Sequence, residues 1–307
     1  MVGAMTASNE RNITRKAFVK GAGSALGMAF AMGLAGCSSG GNSSSASSSS
    51  ASSSDSGAAA ADSSASGASE YILVTEGKLT GVSDMAYPPL ESIPDGSTTP
   101  EGFEIDMMDA LAKKLGLEMT WLSPTKFDTI IPMIKQGGKA DVGVSAFTIT
   151  DERKEEIDFT ESYLDSNQGL VTQKSATDKT QEALDKSGKK IAVQSGTTGE
   201  DWVKENLPNA TIVPLDDIIQ AMTGVQSGLY NACVADLPVT QYEIKIAYSD
   251  LEIPDGGEIP TGEQYGAVIN KNNTALLKAV NKALKDIKAD GTQDSIEKTW
   301  FGSVISS

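Results

Sequence analysis

The chain has 307 residues, enough for one large or two modest domains, and it carries 25 cations, 41 anions and no histidine, for a formal net charge of −16. Arg11, Arg15, Lys16 and Lys20 sit against Glu10 in residues 1–36, so the rest is more acidic still, which argues against nucleic acid or an anionic membrane surface as partner. Without histidine the commonest general base and transition-metal ligand are missing, and Cys37 and Cys233 cannot form a disulfide framework or a zinc site, so neither metal nor cofactor is expected.

Asn9 to Lys20 is charged, and Gly21 to Gly36 is uncharged and rich in Ala, Gly and Met. The second run is shorter than the roughly 20 residues that span a bilayer and fits the apolar core of a signal peptide, read here as residues 1–36. Its end, Leu34-Ala35-Gly36-Cys37, resembles a bacterial lipobox. That resemblance implies cleavage before Cys37 and a diacylglycerol on its sulfur, hence a lipid anchor in the membrane. Thr14-Arg15-Lys16-Ala17-Phe18-Val19-Lys20 resembles a twin-arginine export motif with Lys16 in place of the second Arg, which leaves the general secretory route open. Residues 38–70 are almost entirely Ser, Ala and Gly and cannot bury enough apolar surface to offset the entropy of ordering. With Cys37 they read as a flexible tether of roughly 30 Å root-mean-square span.

The folded body is expected to begin near Tyr71. Ile105, Met108, Leu111, Ala112 and Leu115 recur at helical spacing from Phe103 and stop at Gly116. Leu117, Met119 and Trp121 then alternate as in a half-buried strand. A second helix opens at Asp128, carries Ile130, Ile131 and Ile134, and ends at Gly137-Gly138; Pro132 is placed in its first turns, where a missing N–H costs little. Val142 to Ser145 is the next strand. A similar order follows: strand Lys190 to Gln194, helix Gly199 to Leu207, strand Ala210 to Pro214, helix Asp216 to Gln226, strand Asn231 to Ala235. Ile130-Ile131 and Ile218-Ile219 stand at nearly the same separation as Asp141-Val142 and Asn231-Ala232, which fits two α/β lobes of like build. Cys233, inside the last strand, reads as a buried, inert thiol.

Ligands of open α/β sheets sit beyond the carboxyl ends of the strands. In the first repeat that place is Ser145 to Arg153, where Arg153 stands three residues after the N-cap Thr150. A cation there opposes the helix dipole unless an anion meets it; it reads either as an Arg paired with a surface acid or as part of a carboxylate clamp. In the second repeat the same place holds Asp236, which could equally be a plain N-cap ahead of Pro238. Together the two residues would bridge a zwitterion.

Several segments, taken in order, resemble the polar amino acid substrate-binding proteins of ABC importers. They are Asp84-Met-Ala-Tyr87-Pro-Pro-Leu-Glu91, Gly102-Phe-Glu-Ile-Asp-Met107, Phe127-Asp-Thr-Ile-Ile-Pro132, Ser145 to Arg153 with Asp158-Phe159, Gln194-Ser-Gly-Thr-Thr198, Ala235-Asp236, Tyr265-Gly266 and the ending Ala289 to Gly302. The resemblance implies a two-lobed α/β fold of the type II periplasmic-binding-protein kind, with the ligand in the cleft between lobes. It implies that Arg153 holds the ligand α-carboxylate with Thr148 and the backbone N–H of Thr198, and that Asp236 takes the α-ammonium with the carbonyl of Ala146. Tyr87 and Phe127 would sandwich the ligand side chain, and Asp84 and Gln194 would line its far end. The chain would cross between lobes near 166–167 and 262–263, giving lobe 1 as 71–166 plus 263–307, with a helix from Leu276 to Ile287, and lobe 2 as 167–262. Partners implied are a free amino acid and a membrane permease, with the body a monomer. Ala146 stands where the family usually has Gly or Ser, Phe147 where Met is frequent, and Leu90 where an aromatic is usual, so pocket shape and ligand choice are open at Ala146-Phe147.

An enzyme on the same scaffold, dehydratase-like with a small carboxylate substrate, is the main competitor. It would need an aimed acid or base, which only Asp84 or Glu91 could supply, and neither shows a paired-acid motif. A ligand-sensing surface lipoprotein is the other alternative. Asp84, two aromatics and an uncharged Gln194 favour a cationic or polar amino acid.

Overall fold

The computed structural model describes residues 71–306. The signal peptide, Cys37 and the tether lie outside the described residues. The first part of the body runs β1 (Lys78–Val82), a short hairpin β2 (Ala86–Tyr87) and β3 (Glu91–Ser92), α1 (Phe103–Lys114), β4 (Glu118–Trp121), α2 (Phe127–Gln136), β5 (Val142–Gly143), α3 (Asp151–Glu156) and β6 (Asp158–Phe159). A long strand β7 (Leu164–Gln173) leads into α4 (Gln181–Leu184), β8 (Lys190–Gln194), α5 (Thr198–Asn206), β9 (Thr211–Leu215), α6 (Ile218–Gln226), β10 (Ala232–Asp236), α7 (Leu237–Ile246) and β11 (Leu251–Glu252). β12 (Glu258–Tyr265) returns antiparallel to β7, and β13 (Val268–Ile269), α8 (Thr274–Ala289) and α9 (Thr292–Phe301) complete the chain.

The strands form two main sheets, one in the order β4-β1-β5-β13-β6 and one in the order β11-β7-β10-β8-β9, with β12 also on β7. Within them, β4-β1-β5 and β9-β8-β10 are parallel triplets with the same connectivity: first strand in the middle, second outside, third on the other flank. The repeat seen in the sequence is therefore a repeat of topology. It gives two α/β lobes whose parallel strand ends carry the segments singled out above.

The largest apolar cluster holds Phe103, Met107, Met108 and Leu111 of α1 with Leu276, Val280, Leu284 and Ile287 of α8, and also takes in Ile218, Met222 and Val225 of α6. Ile191, Val193, Val203, Leu207 and Val234 form a second cluster. Cys233 is buried in the larger one, and burial pushes its thiol up to about 12, which makes it a poor nucleophile.

Two local features set the site. Gly102 has φ 144, and a Cβ on it would lie 2.2 Å from the Leu90 carbonyl oxygen. Only glycine lets α1 start this close to the hairpin. The first amides of α1 then find partners in the carbonyls of Pro89 (from Phe103, 2.9 Å) and Leu90 (from Glu104, 2.8 Å), which brings Glu104 to the back of the cleft. The expectation for Pro132 needs correction. It lies one turn inside α2, so Asp128 loses the helix bond that its carbonyl would receive. Both residues are exposed, so the freed carbonyl lies where solvent can reach it.

Candidate functional site

The carboxyl ends of β1, β5, β8 and β10 converge on one cavity. All nine residues singled out for ligand contact line it: Asp84 and Tyr87 after β1, Phe127 at the start of α2, Ala146, Thr148 and Arg153 after β5, Gln194 and Thr198 around the end of β8, and Asp236 at the end of β10. Ser145 and Thr197 line it as well and were missed.

Arg153 is half-buried and makes no ion pair among the described residues, so the surface-acid alternative fails. Its Nη1 donates to the Thr148 carbonyl at 2.9 Å and its Nη2 to the Gly196 carbonyl at 3.0 Å. The guanidinium carbon lies 5.5 Å from the centre of the Phe127 ring and 5.8 Å from that of Phe147. Thr150 caps α3 by accepting from the Arg153 N–H at 3.1 Å, which fixes the root of the side chain. Burial lowers the guanidinium's affinity for its proton, and the charges of Asp236, Asp201 and Glu263 restore part of it. The result is a planar cation with two donors already oriented by backbone oxygens.

Asp236 occupies the N-cap position of α7, yet its side chain does not cap that helix. The plain N-cap reading is thus overturned. Its carboxylate accepts from Gln168 Nε2 at 2.5 Å, and its own N–H donates to the Tyr87 hydroxyl at 3.2 Å. Burial and the nearby charge of Glu263 push its carboxyl up to about 7. An arriving cation would hold it ionised.

Asp84 accepts from Gln194 Nε2 at 2.6 Å, and the same amide reaches the Asp216 carbonyl at 3.2 Å. Burial, with Asp217, Asp128 and Asp216 nearby, raises the Asp84 carboxyl to about 6 despite that bond. The Thr148 and Thr198 hydroxyls stand 3.4 Å apart. Contacts between the two lobes thus run through Asp84–Gln194, Thr148–Thr198, Arg153–Gly196 and the ion pair of Lys126 with Asp216 at 2.7 Å.

Phe127 is 8 % exposed and stacks on Phe147 at 4.7 Å between centroids and 20° between planes. Phe147 therefore does not line the cavity. It backs Phe127 and Arg153, so of the pair Ala146-Phe147 only Ala146 faces the site. Ala146 has the left-handed φ of 47, and its N–H donates to Glu104 Oε1 at 2.9 Å.

Three further residues matter here, and two of them, Gln168 and Glu104, were not flagged by any sequence signal. Gln168 Nε2 is shared by Asp236, Glu263 at 2.8 Å and Thr198 at 3.2 Å. Glu104 sits inside the helical stretch Phe103–Lys114, where the apolar spacing drew attention to its neighbours instead. Glu91 was weighed only as a lone acid, with no paired partner. The structure corrects this: Glu91 and Glu104 are both 0 % exposed, and the charge of Glu104 pushes the Glu91 carboxyl up further. Among the described residues no group of Cys, Asp and Glu is arranged to hold a metal ion.

Residues 79–303 match the model of the bacterial extracellular solute-binding proteins, family 3. The chain is 34 % identical over 203 residues to the ABC transporter glutamine-binding protein of Bacillus subtilis, covering 66 % of this chain and 72 % of that one. Among solved structures it is similar to an ancestral arginine-binding protein bound to arginine, with TM-score 0.69 and 36 % identity over 74 % of this chain and 99 % of that one. It is also similar to an ancestral amino acid-binding protein described as a precursor of cyclohexadienyl dehydratase, with TM-score 0.67 and 37 % identity over 73 % of this chain and 96 % of that one. With the family model matched along most of the body, on a two-lobed fold with the cavity at its strand ends, the chain belongs to the bacterial extracellular solute-binding proteins, family 3.

Proposed function

We propose that this protein captures a free amino acid outside the cytoplasm and delivers it to an ABC importer. The observation that carries the reading is that Arg153 and Asp236 stand at equivalent strand ends of the two repeats and line the same cavity. Arg153 takes the α-carboxylate with Thr148 and the N–H of Thr198, and Asp236 takes the α-ammonium with the Ala146 carbonyl. Tyr87 and Phe127 bound the side-chain path, and Asp84 and Gln194 meet its end.

Charge selects the side chain. Arg153 is the one cation in the lining, against the carboxylates of Asp84 and Asp236. A zwitterion satisfies Arg153 and Asp236 and leaves Asp84 over. A cationic side chain, or a polar one that can donate to Asp84, completes the balance. Relatives named for glutamine and arginine agree with that class.

In this reading the crossings near 166–167 and 262–263, on the paired strands β7 and β12, are the hinge about which lobe 1 (71–166 plus 263–307) and lobe 2 (167–262) close. The protein acts as a monomeric binder rather than an enzyme, tethered by residues 38–70 to a lipid on Cys37 at the outer face of the cell membrane. No helix among the described residues is long and apolar enough to cross a membrane. A thermal-shift panel of the common L-amino acids tests the function. Arginine, lysine or glutamine should raise the melting temperature and glutamate should not; a panel with no shift, or with glutamate on top, would overturn the reading.

A further inference from the structure

Behind the cavity lies a pair of acids that the ligand does not reach. Glu91 on β3 and Glu104 on α1 are both fully buried, and each has one carboxyl oxygen, Oε2, without a hydrogen-bond partner. Neither takes part in an ion pair among the described residues. Two unpaired carboxylates side by side in an apolar core are costly, so such a pair must either hold a proton or hold something in place.

The other oxygens show what is held. Glu104 Oε1 accepts from the N–H of Ala146 at 2.9 Å and from the Tyr163 hydroxyl. Glu91 Oε1 accepts from the Ser145 hydroxyl at 2.5 Å, and Ser145 Oγ in turn accepts from the N–H of Asp84 at 3.3 Å. The N–H of Met85 itself donates to Ser83 Oγ at 3.3 Å, so Glu91 is joined to that turn through Ser145 and the Asp84 N–H. Among the described residues, Met85 and Ala146 are the non-glycine residues with positive φ, 61 and 47. Left-handed backbone on such residues is strained and persists only where its surroundings enforce it. Both strained residues directly follow a cavity-lining residue, Asp84 and Ser145, and both turn toward this pair.

We propose that Glu91 and Glu104 are positioning residues: a buried carboxyl pair that holds the left-handed turns at Met85 and Ala146, and so aims the Asp84 carboxylate and the Ala146 carbonyl into the cleft. This rests on the reading of the cleft as an amino acid site. With both carboxyls buried and no cation beside them, the pair is favoured with a proton bound. The groups facing it are Asp84 from the β1–β2 loop, Asp236 from β10 and Tyr163 ahead of β7, none of them a cation. In that setting Glu104 is pushed up to about 7 and Glu91 well above the ordinary carboxylate range, with burial the larger cause in both. The folded chain therefore binds more protons than the unfolded one above the usual glutamate range. Stability falls as pH rises from there through about 7.

The test uses the full chain, with L-arginine and L-glutamine as probes in calorimetry. Glu104→Ala should weaken binding by about tenfold or more, because the left-handed turn loses its anchor. Adding Ala146→Gly should return about threefold or more of that loss, since glycine adopts positive φ without strain. Glu104→Gln keeps an acceptor for Ala146 and cannot titrate. It should bind within about threefold of wild type, and its melting temperature should fall less than that of wild type between pH 5 and pH 8. Wild-type affinity in Glu104→Ala, no gain from Ala146→Gly, or an unchanged pH slope in Glu104→Gln would each overturn the proposal. If Glu104→Ala does not fold, the pH slope of Glu104→Gln decides. If wild type binds neither probe, the ligand assignment is what fails, and the melting curves still judge the pair.

Discussion

Asp84→Asn separates a cationic ligand from a neutral one. The change keeps the shape of the side chain and leaves an oxygen to accept from Gln194 Nε2, now at 2.6 Å. What it removes is the one lining carboxylate not matched by the zwitterion. A unit charge about 4 Å from another is worth about 4 kcal/mol at an effective dielectric of 20. Desolvation of the ligand cation offsets part of that, and hydrogen bonds to charged groups net about 1.5–3 kcal/mol in practice. Arginine should therefore lose about tenfold to a hundredfold in affinity, while glutamine, whose amide can still bond to Asn, should stay within about threefold. Burial raises the wild-type carboxyl to about 6, so affinity for arginine should also fall as pH drops through that value; the variant should keep only the part of the fall that Asp236 brings, which glutamine shares. Calorimetric titration with both ligands at pH 7.5 and pH 5 reads all of this. Equal losses for arginine and glutamine, or an arginine affinity indifferent to the change, would refute the charge argument.

Arg153→Ala should cost about 3–5 kcal/mol of binding for every amino acid ligand, because a buried α-carboxylate is left unpaired; retention of affinity within threefold in a titration would remove Arg153 from the site. Asp141→Asn should lower the melting temperature with ligand affinity unchanged, since Asp141 accepts from Val74 and Thr80 N–H groups at 2.8 Å each and an amide can accept only one of them. The expected loss is about 2 kcal/mol, read by chemical denaturation. Gly102→Ala should cost about 3 kcal/mol or more, because α1 must move off the Leu90 carbonyl to admit the Cβ; a denaturation midpoint equal to wild type would contradict the close approach.

Much of the fold was legible where apolar spacing was regular. The helix from Phe103, the strand Lys190–Gln194 and the helix predicted from Leu276 to Ile287 lie within a residue or two of where spacing put them. The antiparallel strands were not read. β7 mixes buried and exposed residues because it pairs with β10, β11 and β12 along its length, so Ser166, Gln168 and Thr172 are buried although polar. Helix α7 was signalled only by the reading of Asp236 as an N-cap ahead of Pro238, and Pro at its second position is compatible with a helix start. At the site, strand-end logic found the facing cation and anion. It could not find Gln168 or Glu104, whose importance comes from neighbours distant in sequence: Glu104 meets Ala146 across α1, and Gln168 meets Asp236 and Glu263 across two strands.

The central claim is that Arg153 and Asp236 recognise the α-carboxylate and α-ammonium of an amino acid. The most direct measurement titrates the protein with the amino acid giving the largest melting shift and, in parallel, with the amine left when that amino acid loses its carboxylate. Saturable one-to-one binding of the amino acid, and a loss of about a hundredfold or more for the amine, is the predicted result. An amine that binds as tightly as its parent would show that the cavity does not read the α-carboxylate.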